Sequence, residues 1–147
     1  MEEEHIQGEE NTVAPGKRSA TLQLSVPFHD CDPLFIVWHG RYFEYFEMAR
    51  CALLAACALD IPQIRELGYR MVVSDARCRY NYPLSYGDQV EVRASFVATR
   101  PLLRIAYRVF NQTQSRISAR GYTLLATTDA AGKLYRETPD AILERLR

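Results

Sequence analysis

The chain has 147 residues, of which 48% are hydrophobic and 24% are charged, and its formal net charge at pH 7 is zero. This length and composition predict a single globular domain with its own core, and the balanced charge argues against a dedicated nucleic-acid-binding domain. The sequence contains no apolar stretch long enough to span a bilayer, and its first residues lack the basic-then-apolar pattern of a secretory signal.

The amino-terminal segment MEEEHIQGEENTVAPGKRSA is polar, contains glycine and proline, and shows no periodicity. We expect residues 1–19 to form a disordered or weakly ordered tail ahead of one folded domain over residues 20–147. The four cysteines form no CxxC pair and no cluster with histidine. The sequence therefore predicts no metal site, no cofactor and no disulfide framework. Without an export signal, the cytoplasm is the expected location.

The first half of the domain predicts one strand and two helices. Apolar and polar residues alternate over residues 20–28, which favours a strand. Residues 40–58 contain no proline and no internal glycine, and their apolar side chains recur at helical spacing around most of the circumference. Such a helix is typically buried by its neighbours, so we expect it to be central. A short second helix is predicted with Asp60 as its cap, Pro62 in its first turn and Gly68 beyond its end.

The second half of the domain predicts four strands and a final helix. Short polar connections separate the strand candidates and favour consecutive antiparallel pairing; these candidates are residues 70–82, 89–98, 102–110 and 116–128. In the closing segment TPDAILERLR, Thr138 is the expected cap and Pro139 the first helical residue. Because helices and strands are segregated along the chain, we expect the α+β class, with one antiparallel sheet wrapped around one long central helix.

The segment HDCDPLFIVWHG, residues 29–40, places two acids and a histidine around an apolar turn in front of the central helix. With the helix that follows, it resembles the signature of hot-dog fold acyl-CoA thioesterases of the 4-hydroxybenzoyl-CoA thioesterase family. That signature has an aspartate, a turn, an Ile/Val-Val-aromatic-His run and an aromatic helix ending in Glu-x-Ala-Arg. Further on, YNYPLSYGDQVEV and TPDAILERL are similar to later parts of the family pattern, so the resemblance covers residues 22–147.

The resemblance implies a hot-dog enzyme that hydrolyses an acyl- or aroyl-CoA thioester, or an acyl-carrier-protein thioester, to free acid and thiol. It implies that Asp32 supplies the catalytic carboxylate, either as general base or as nucleophile. The oxyanion site would be the main-chain N–H groups of His39 and Gly40 at the helix start. Gly40 would let the thioester approach the backbone, and the His39 imidazole would orient Asp32 or the water, or assist the leaving thiolate. The family pattern also implies a homodimer or homotetramer with active sites between subunits.

The sequence departs from the family pattern beside this aspartate. Leu34 and Phe35 stand where the family often has glycine or Ala-Gly, and Gly40 and Arg41 stand where it often has asparagine. The two bulky side chains leave the shape of the acyl pocket, and hence the substrate, open.

Other interpretations of the same residues remain open. Asp32 before a proline could shape a turn, and His39 could be an ordinary histidine at a helix start. A hot-dog dehydratase would pair His39 with Glu44 or Glu47, and a non-catalytic thioester-binding module would keep only the fold. The serine-hydrolase route is excluded because the sequence has no GxSxG motif.

The remaining polar residues of the segment have expected structural roles. Cys31 is disfavoured as a nucleophile, since alternation turns it away from Asp32. Asp30 is expected to be structural, and Glu47 and Arg50 to form either an ion pair along the helix or a contact between subunits. Arginines are candidates for CoA phosphate contacts by charge alone: Arg77, Arg79, Arg104, Arg116 and Arg120.

Overall fold

The computed structural model describes residues 19–147, so the predicted tail lies outside the described residues apart from Ser19, which begins the first strand. The helices and strands follow in the chain order β1 (Ser19–Ser25), α1 (Arg41–Ala56), α2 (Ile61–Glu66), β2 (Tyr69–Tyr80), β3 (Gln89–Ala98), β4 (Leu103–Asn111), β5 (Arg116–Asp129) and α3 (Asp140–Arg145). A single 3-10 turn, Phe28–Asp30, precedes α1. The predicted α+β class is confirmed.

Within the described residues the strands form one antiparallel sheet in the order β1-β3-β4-β5-β2. The predicted consecutive pairing is confirmed for β3, β4 and β5 and is wrong for β2, which pairs with β5 rather than β3. The segment after β2 does not turn back in a hairpin. The main-chain N–H of Asn81 donates to Ser118 O at 2.8 Å, and Leu84 O accepts from Val37 N at 2.8 Å. The chain after β2 therefore runs from β5 to the loop before α1, and it does not form a tight turn between β2 and β3.

Helix α1 packs against β1, β3 and β4 on one face of the sheet. The Phe46 ring stacks on the Tyr107 ring of β4, with centroids 4.4 Å apart and planes at 7°. Gly121 of β5 makes room for Phe46, because a Cβ at this position would lie 2.6 Å from the Phe46 ring. The opposite side of α1, with Phe43 and Met48, is exposed. Within one chain the predicted central helix is therefore buried along one face only.

The two short helices begin differently. Asp60 caps α2 as predicted, with Ile61 N donating to its carboxylate at 2.9 Å, and the Gln63 side chain completes a capping box that was not predicted. The predicted cap of α3 is wrong by one position: Pro139 is the N-cap and Asp140 the first helical residue. The Thr138 hydroxyl instead donates to Thr99 O at 2.8 Å, so it ties the chain to the end of β3. No helix within residues 19–147 combines the length and the apolar character needed to cross a membrane.

Candidate active site

Asp32 sits in a tight turn between two short extended segments. Its main-chain N–H donates to Ile36 O at 2.9 Å, and its main-chain oxygen accepts from Phe35 N at 2.9 Å. Its carboxylate Oδ1 accepts from Leu34 N at 2.8 Å, a contact typical of aspartate in turns. The side chain thus shapes the turn, and Oδ2 has no hydrogen bond among the described residues. Asp32 as a whole residue is half-buried.

The turn carries two exposed apolar side chains. Leu34 is 74% exposed and Phe35 is 77% exposed. Phe35 has a φ of +66°, in the left-handed region that costs a residue with a side chain about 1–2 kcal/mol. Two large apolar groups therefore lie beside Asp32 with no partner in the described part of this chain that buries them.

The loop is fixed on both sides by main-chain hydrogen bonds. Val37 N donates to Leu84 O at 2.8 Å, and Trp38 N donates to Asp30 O at 3.0 Å. Isolated bridges join Cys31 to Val37 and Ile36 to Ser85. The turn at Asp32 is therefore the tip of a small hydrogen-bonded unit rather than a loose connection.

The Asp30 carboxylate anchors this unit to α1. It is 5% exposed, accepts a hydrogen bond from the Tyr45 phenol at 2.7 Å, and lies 3.6 Å from Arg41 Nε. Burial, together with the Asp30 carboxylate, raises the pKa of Tyr45 far above its ordinary value, so the phenol stays a donor. This geometry supports the interpretation of Asp30 as a structural acid.

The start of α1 presents main-chain N–H groups beside the loop. Gly40 is the N-cap and supplies no side-chain cap, and the N–H groups of His39 and Gly40 have no hydrogen-bond acceptor within residues 19–147. Such amides at a helix start attract negative charge. A Cβ at Gly40 would collide with the Trp38 ring. The absence of a side chain at Gly40 therefore leaves room for the indole, and the approach of a thioester to this glycine stays a prediction.

His39 is held by its backbone rather than by its imidazole. The Tyr80 phenol of β2 donates to His39 O at 2.7 Å, and the imidazole lies edge-on to the Tyr80 ring with centroids 6.2 Å apart. Burial and the neighbouring Cys78 thiol raise the pKa of Tyr80 to about 12. Sequence reasoning missed Tyr80, since nothing in the local pattern of β2 indicates a partner 41 residues away.

The competing candidates have other contacts. Burial, followed by the charges of Asp30 and Asp32, raises the pKa of the Cys31 thiol, which disfavours the thiolate that a nucleophile needs. Glu44 pairs with Arg41 at 2.9 Å, and the predicted pair of Glu47 with Arg50 is present at 3.6 Å. Both acids proposed for a dehydratase thus already face an arginine on their own helix.

The candidate phosphate-binding arginines do not form one cluster. The guanidinium of Arg116 lies over the Tyr82 ring at 3.6 Å, and that of Arg104 lies over the Tyr122 ring at 4.0 Å. The register places Arg77, Arg79 and Arg120 on the sheet face opposite α1. Their positions therefore identify none of these arginines as a contact for a CoA phosphate.

Comparison with known proteins gives consistent matches. The family model described as "Thioesterase-like superfamily" matches residues 26–146. A curated relative from Aquifex aeolicus (strain VF5), named "Putative esterase", is 34% identical over 88 residues, which is 59% of this chain and 69% of the relative. The family model thus covers the loop, α1 and strands β2 to β5.

Two solved structures have the same architecture. A hypothetical protein from Aquifex aeolicus superposes with a TM-score of 0.77 at 30% identity, over 86% of this chain and 98% of that one. A variant of 4-hydroxybenzoyl-CoA thioesterase in complex with 4-hydroxybenzoyl-CoA superposes with a TM-score of 0.76 at 21% identity, over 88% and 99%. The latter likeness concerns the fold alone. The predicted hot-dog fold is confirmed.

Proposed function

The chain belongs to the thioesterase-like superfamily, and on this basis we propose that it hydrolyses acyl- or aroyl-CoA thioesters to the free acid and the CoA thiol. The observation that carries the proposal is the hydrogen-bonded loop that holds Asp32 seven residues before His39, at the start of α1. A half-buried aspartate whose carboxylate has one oxygen unbonded precedes two main-chain amides, at His39 and Gly40, that have no acceptor among the described residues. The fold shared with a thioesterase that binds 4-hydroxybenzoyl-CoA supports CoA esters as the first substrates to test.

The proposed chemistry needs a nucleophile at the thioester carbon and donors for the oxyanion. In one route Asp32 takes a proton from water, the water oxygen bonds to the carbon, and the C–S bond breaks to release the thiolate. In the other route the Asp32 carboxylate itself forms the bond and releases the thiolate, leaving a mixed anhydride that water hydrolyses. In both routes the N–H groups of His39 and Gly40 bind the oxyanion. The His39 imidazole is exposed, and we assign it the secondary task of orienting the water or protonating the thiolate.

We further propose that the active unit is a homodimer joined through β2. This 12-residue strand lies at one edge of the sheet and is exposed along most of its length, with Val72 and Val73 among its exposed apolar residues. A long apolar edge strand is a template for pairing with another chain. A partner subunit would also cover the exposed side chains of Leu34 and Phe35. The four cysteines are free thiols, which suits our proposal that the protein works in the reducing cytoplasm.

The test of the function is thiol release from a panel of acyl- and aroyl-CoAs, with acyl-carrier-protein thioesters as a second panel. The decisive variant is Asp32→Asn, because the amide oxygen can still accept from Leu34 N and preserve the turn. We expect turnover to fall by about a hundredfold or more, equivalent to about 2.7 kcal/mol of transition-state stabilisation.

Asp129→Asn is the matched control. Asp129 also shapes a turn, accepting from Ala131 N and Lys133 N at 2.9 Å each, but it lies at the end of β5. This variant should keep full turnover. Equal activity of Asp32→Asn and the native chain would remove Asp32 from the mechanism, and no release from either panel would remove the thioesterase proposal.

The dimer is tested by light scattering during size-exclusion chromatography. Val73→Lys places a charge on the exposed edge and should shift the mass from about 34 to about 17 kDa, since one chain is 16.9 kDa. The paired control is Val97→Lys, which alters a similarly exposed valine on β3, away from the β2 edge. A native chain that runs at the mass of one subunit would refute the dimer.

A further inference from the structure

The main-chain turn that leads into α1 contains one of the two proposed oxyanion donors. Arg41 N donates to Trp38 O at 2.9 Å, so a hydrogen bond closes the turn, and its central residues are His39 and Gly40. The peptide between these two residues carries His39 O on one side and the Gly40 N–H on the other. Because a peptide unit is planar, the direction of His39 O determines the direction of the Gly40 N–H.

Four-residue turns exist in two common forms that differ in the orientation of the central peptide. Between type I and type II this peptide rotates by roughly 150–170°, so its N–H and its oxygen exchange sides. Type II requires a positive φ at the second central residue, which glycine adopts without steric cost. Gly40 has φ −67° and ψ −23°, values that fit type I. Since the residue is a glycine, its own sterics do not exclude the other orientation.

The Tyr80 phenol holds this peptide in the observed orientation. It donates to His39 O at 2.7 Å, a usual length for a well-formed O–H···O hydrogen bond. Rotation of the central peptide would carry His39 O away from the phenol and break this bond. Burial and the Cys78 thiol raise the pKa of Tyr80 to about 12, so the phenol keeps its proton at neutral pH and remains a donor.

The phenol is itself positioned by the sheet and by the helix. Tyr80 is the last residue of β2 and pairs with Ala119 of β5. Its ring meets the Tyr42 ring of α1 edge-on, with centroids 5.0 Å apart and planes at 88°. Tyr42 is buried. The donor to His39 O therefore belongs to the rigid part of the fold rather than to the loop that it holds.

We propose that Tyr80 is a positioning residue, which fixes the His39–Gly40 peptide and thereby directs the Gly40 N–H at the oxyanion. This inference rests on the proposed thioesterase function. The hydrogen bond to His39 O also polarises the peptide unit, which strengthens the Gly40 N–H as a donor. Tyr80 acts through this peptide and needs no contact with the substrate.

The test compares the full-length variants Tyr80→Phe and Tyr135→Phe. Each change removes one hydroxyl and keeps a ring that meets a second tyrosine ring edge-on, Tyr42 in the first case and Tyr69 in the second. The two residues are similarly exposed, at 45% and 41%. Tyr135 N bonds to Thr127 O near the end of β5, away from the loop. Both variants are assayed well below the midpoint of thermal unfolding, so loss of folded protein does not contribute.

Two measurements follow the peptide and the reaction separately. In ¹H–¹⁵N NMR spectra the Gly40 amide signal should move in Tyr80→Phe and stay in place in Tyr135→Phe, because the hydrogen bond at His39 O belongs to the same peptide unit. In thiol-release assays kcat of Tyr80→Phe should fall by about tenfold to a hundredfold, with KM unchanged within about twofold. A misdirected oxyanion donor weakens the binding of the transition state and leaves that of the substrate.

Three results would overturn the proposal: a Gly40 signal that stays in place in Tyr80→Phe, a kcat equal to that of Tyr135→Phe, or a loss that appears only in KM. A native chain that releases thiol from no thioester would instead remove the proposed function, and with it the role of the Gly40 N–H in catalysis. The NMR signal reports the orientation of the peptide in either case, so the two failures are distinguishable.

Discussion

The Tyr45 phenol and the Asp30 carboxylate are joined by a 2.7 Å hydrogen bond inside the protein. Tyr45 belongs to the second turn of α1, whereas Asp30 belongs to the segment that leads into the Asp32 turn. The main-chain oxygen of Asp30 also accepts from Trp38 N. Asp30 therefore joins the two ends of the loop and attaches the loop to α1. The position of the candidate catalytic carboxylate relative to the start of α1 thus depends on this pair.

Removing the Tyr45 hydroxyl should lower the stability of the fold. Tyr45→Phe leaves a buried carboxylate without its shortest partner, and we expect the free energy of unfolding to fall by about 1.5–3 kcal/mol. Tyr122→Phe is the matched control, since its hydroxyl reaches the exposed Asp75 at 3.3 Å, and exposed contacts of this kind change stability by roughly 0.5 kcal/mol or less. Urea unfolding measures both variants. Similar losses would contradict the anchoring role of the pair.

Gly40 and Trp38 should behave as a coupled pair. A methyl group at Gly40 meets the indole ring, so Gly40→Ala must displace the ring or the first turn of α1, with an expected loss of about 1–3 kcal/mol. Trp38→Ala removes the obstacle, and the double variant should be more stable than the sum of the single changes predicts. Additive losses in a double-mutant cycle would show that the ring does not restrict position 40.

The Cys78 thiol should lose its proton at a higher pH than an ordinary cysteine does. Burial raises its pKa from 9.0 to about 11, so alkylation by iodoacetamide in the folded protein should increase up to about pH 11. Between pH 9 and 11 the folded chain keeps a proton that the unfolded chain releases, and therefore the free energy of unfolding falls as pH rises. Cys78→Ala should show a shallower fall. Alkylation that is already half-maximal near pH 9 would contradict this prediction.

Replacement of Phe35 by glycine should raise the stability of the fold and weaken substrate binding. Its side chain is 77% exposed and its φ is +66°, so Phe35→Gly removes backbone strain with little loss of packing, and we expect stability to rise by up to about 1 kcal/mol. If the ring contacts the acyl group, KM for aroyl-CoA should increase several-fold. Leu34→Gly is the control: it has similar exposure but no positive φ, and should lose about 0.5–1 kcal/mol. The same sign of stability change at both positions would refute the strain.

The sequence predicts the local features of this protein well, because each has a local cause. Asp60 caps the helix that directly follows it, and the apolar repeat of α1 lies within the helix itself. Asp32 and His39 are seven residues apart on one loop, so their shared neighbourhood follows from their spacing. Their catalytic roles remain predictions.

The features that the sequence did not predict depend on partners far along the chain. β2 pairs with β5, and the residues that follow it bond to Ser118 of β5 and to Val37 of the loop before α1. No pattern within β2 indicates these partners. Threonine is a common helix cap, yet the Thr138 hydroxyl donates to the main-chain oxygen of Thr99 instead. Likewise the anchoring of His39 O by Tyr80 becomes visible only once the sheet has brought β2 beside the loop.

The strand order also has a consequence during synthesis. Tyr80 pairs with Ala119 and Tyr69 with Asp129, so β2 is translated before any residue of its partner strand. At about 5–20 residues per second, roughly 2 to 10 s separate the translation of the last residue of β2 from that of the last residue of β5. During that interval both edges of the strand are unpaired, and Val72 and Val73 are available to any nascent neighbour. On a polysome this delay favours contacts between sister chains before either has folded.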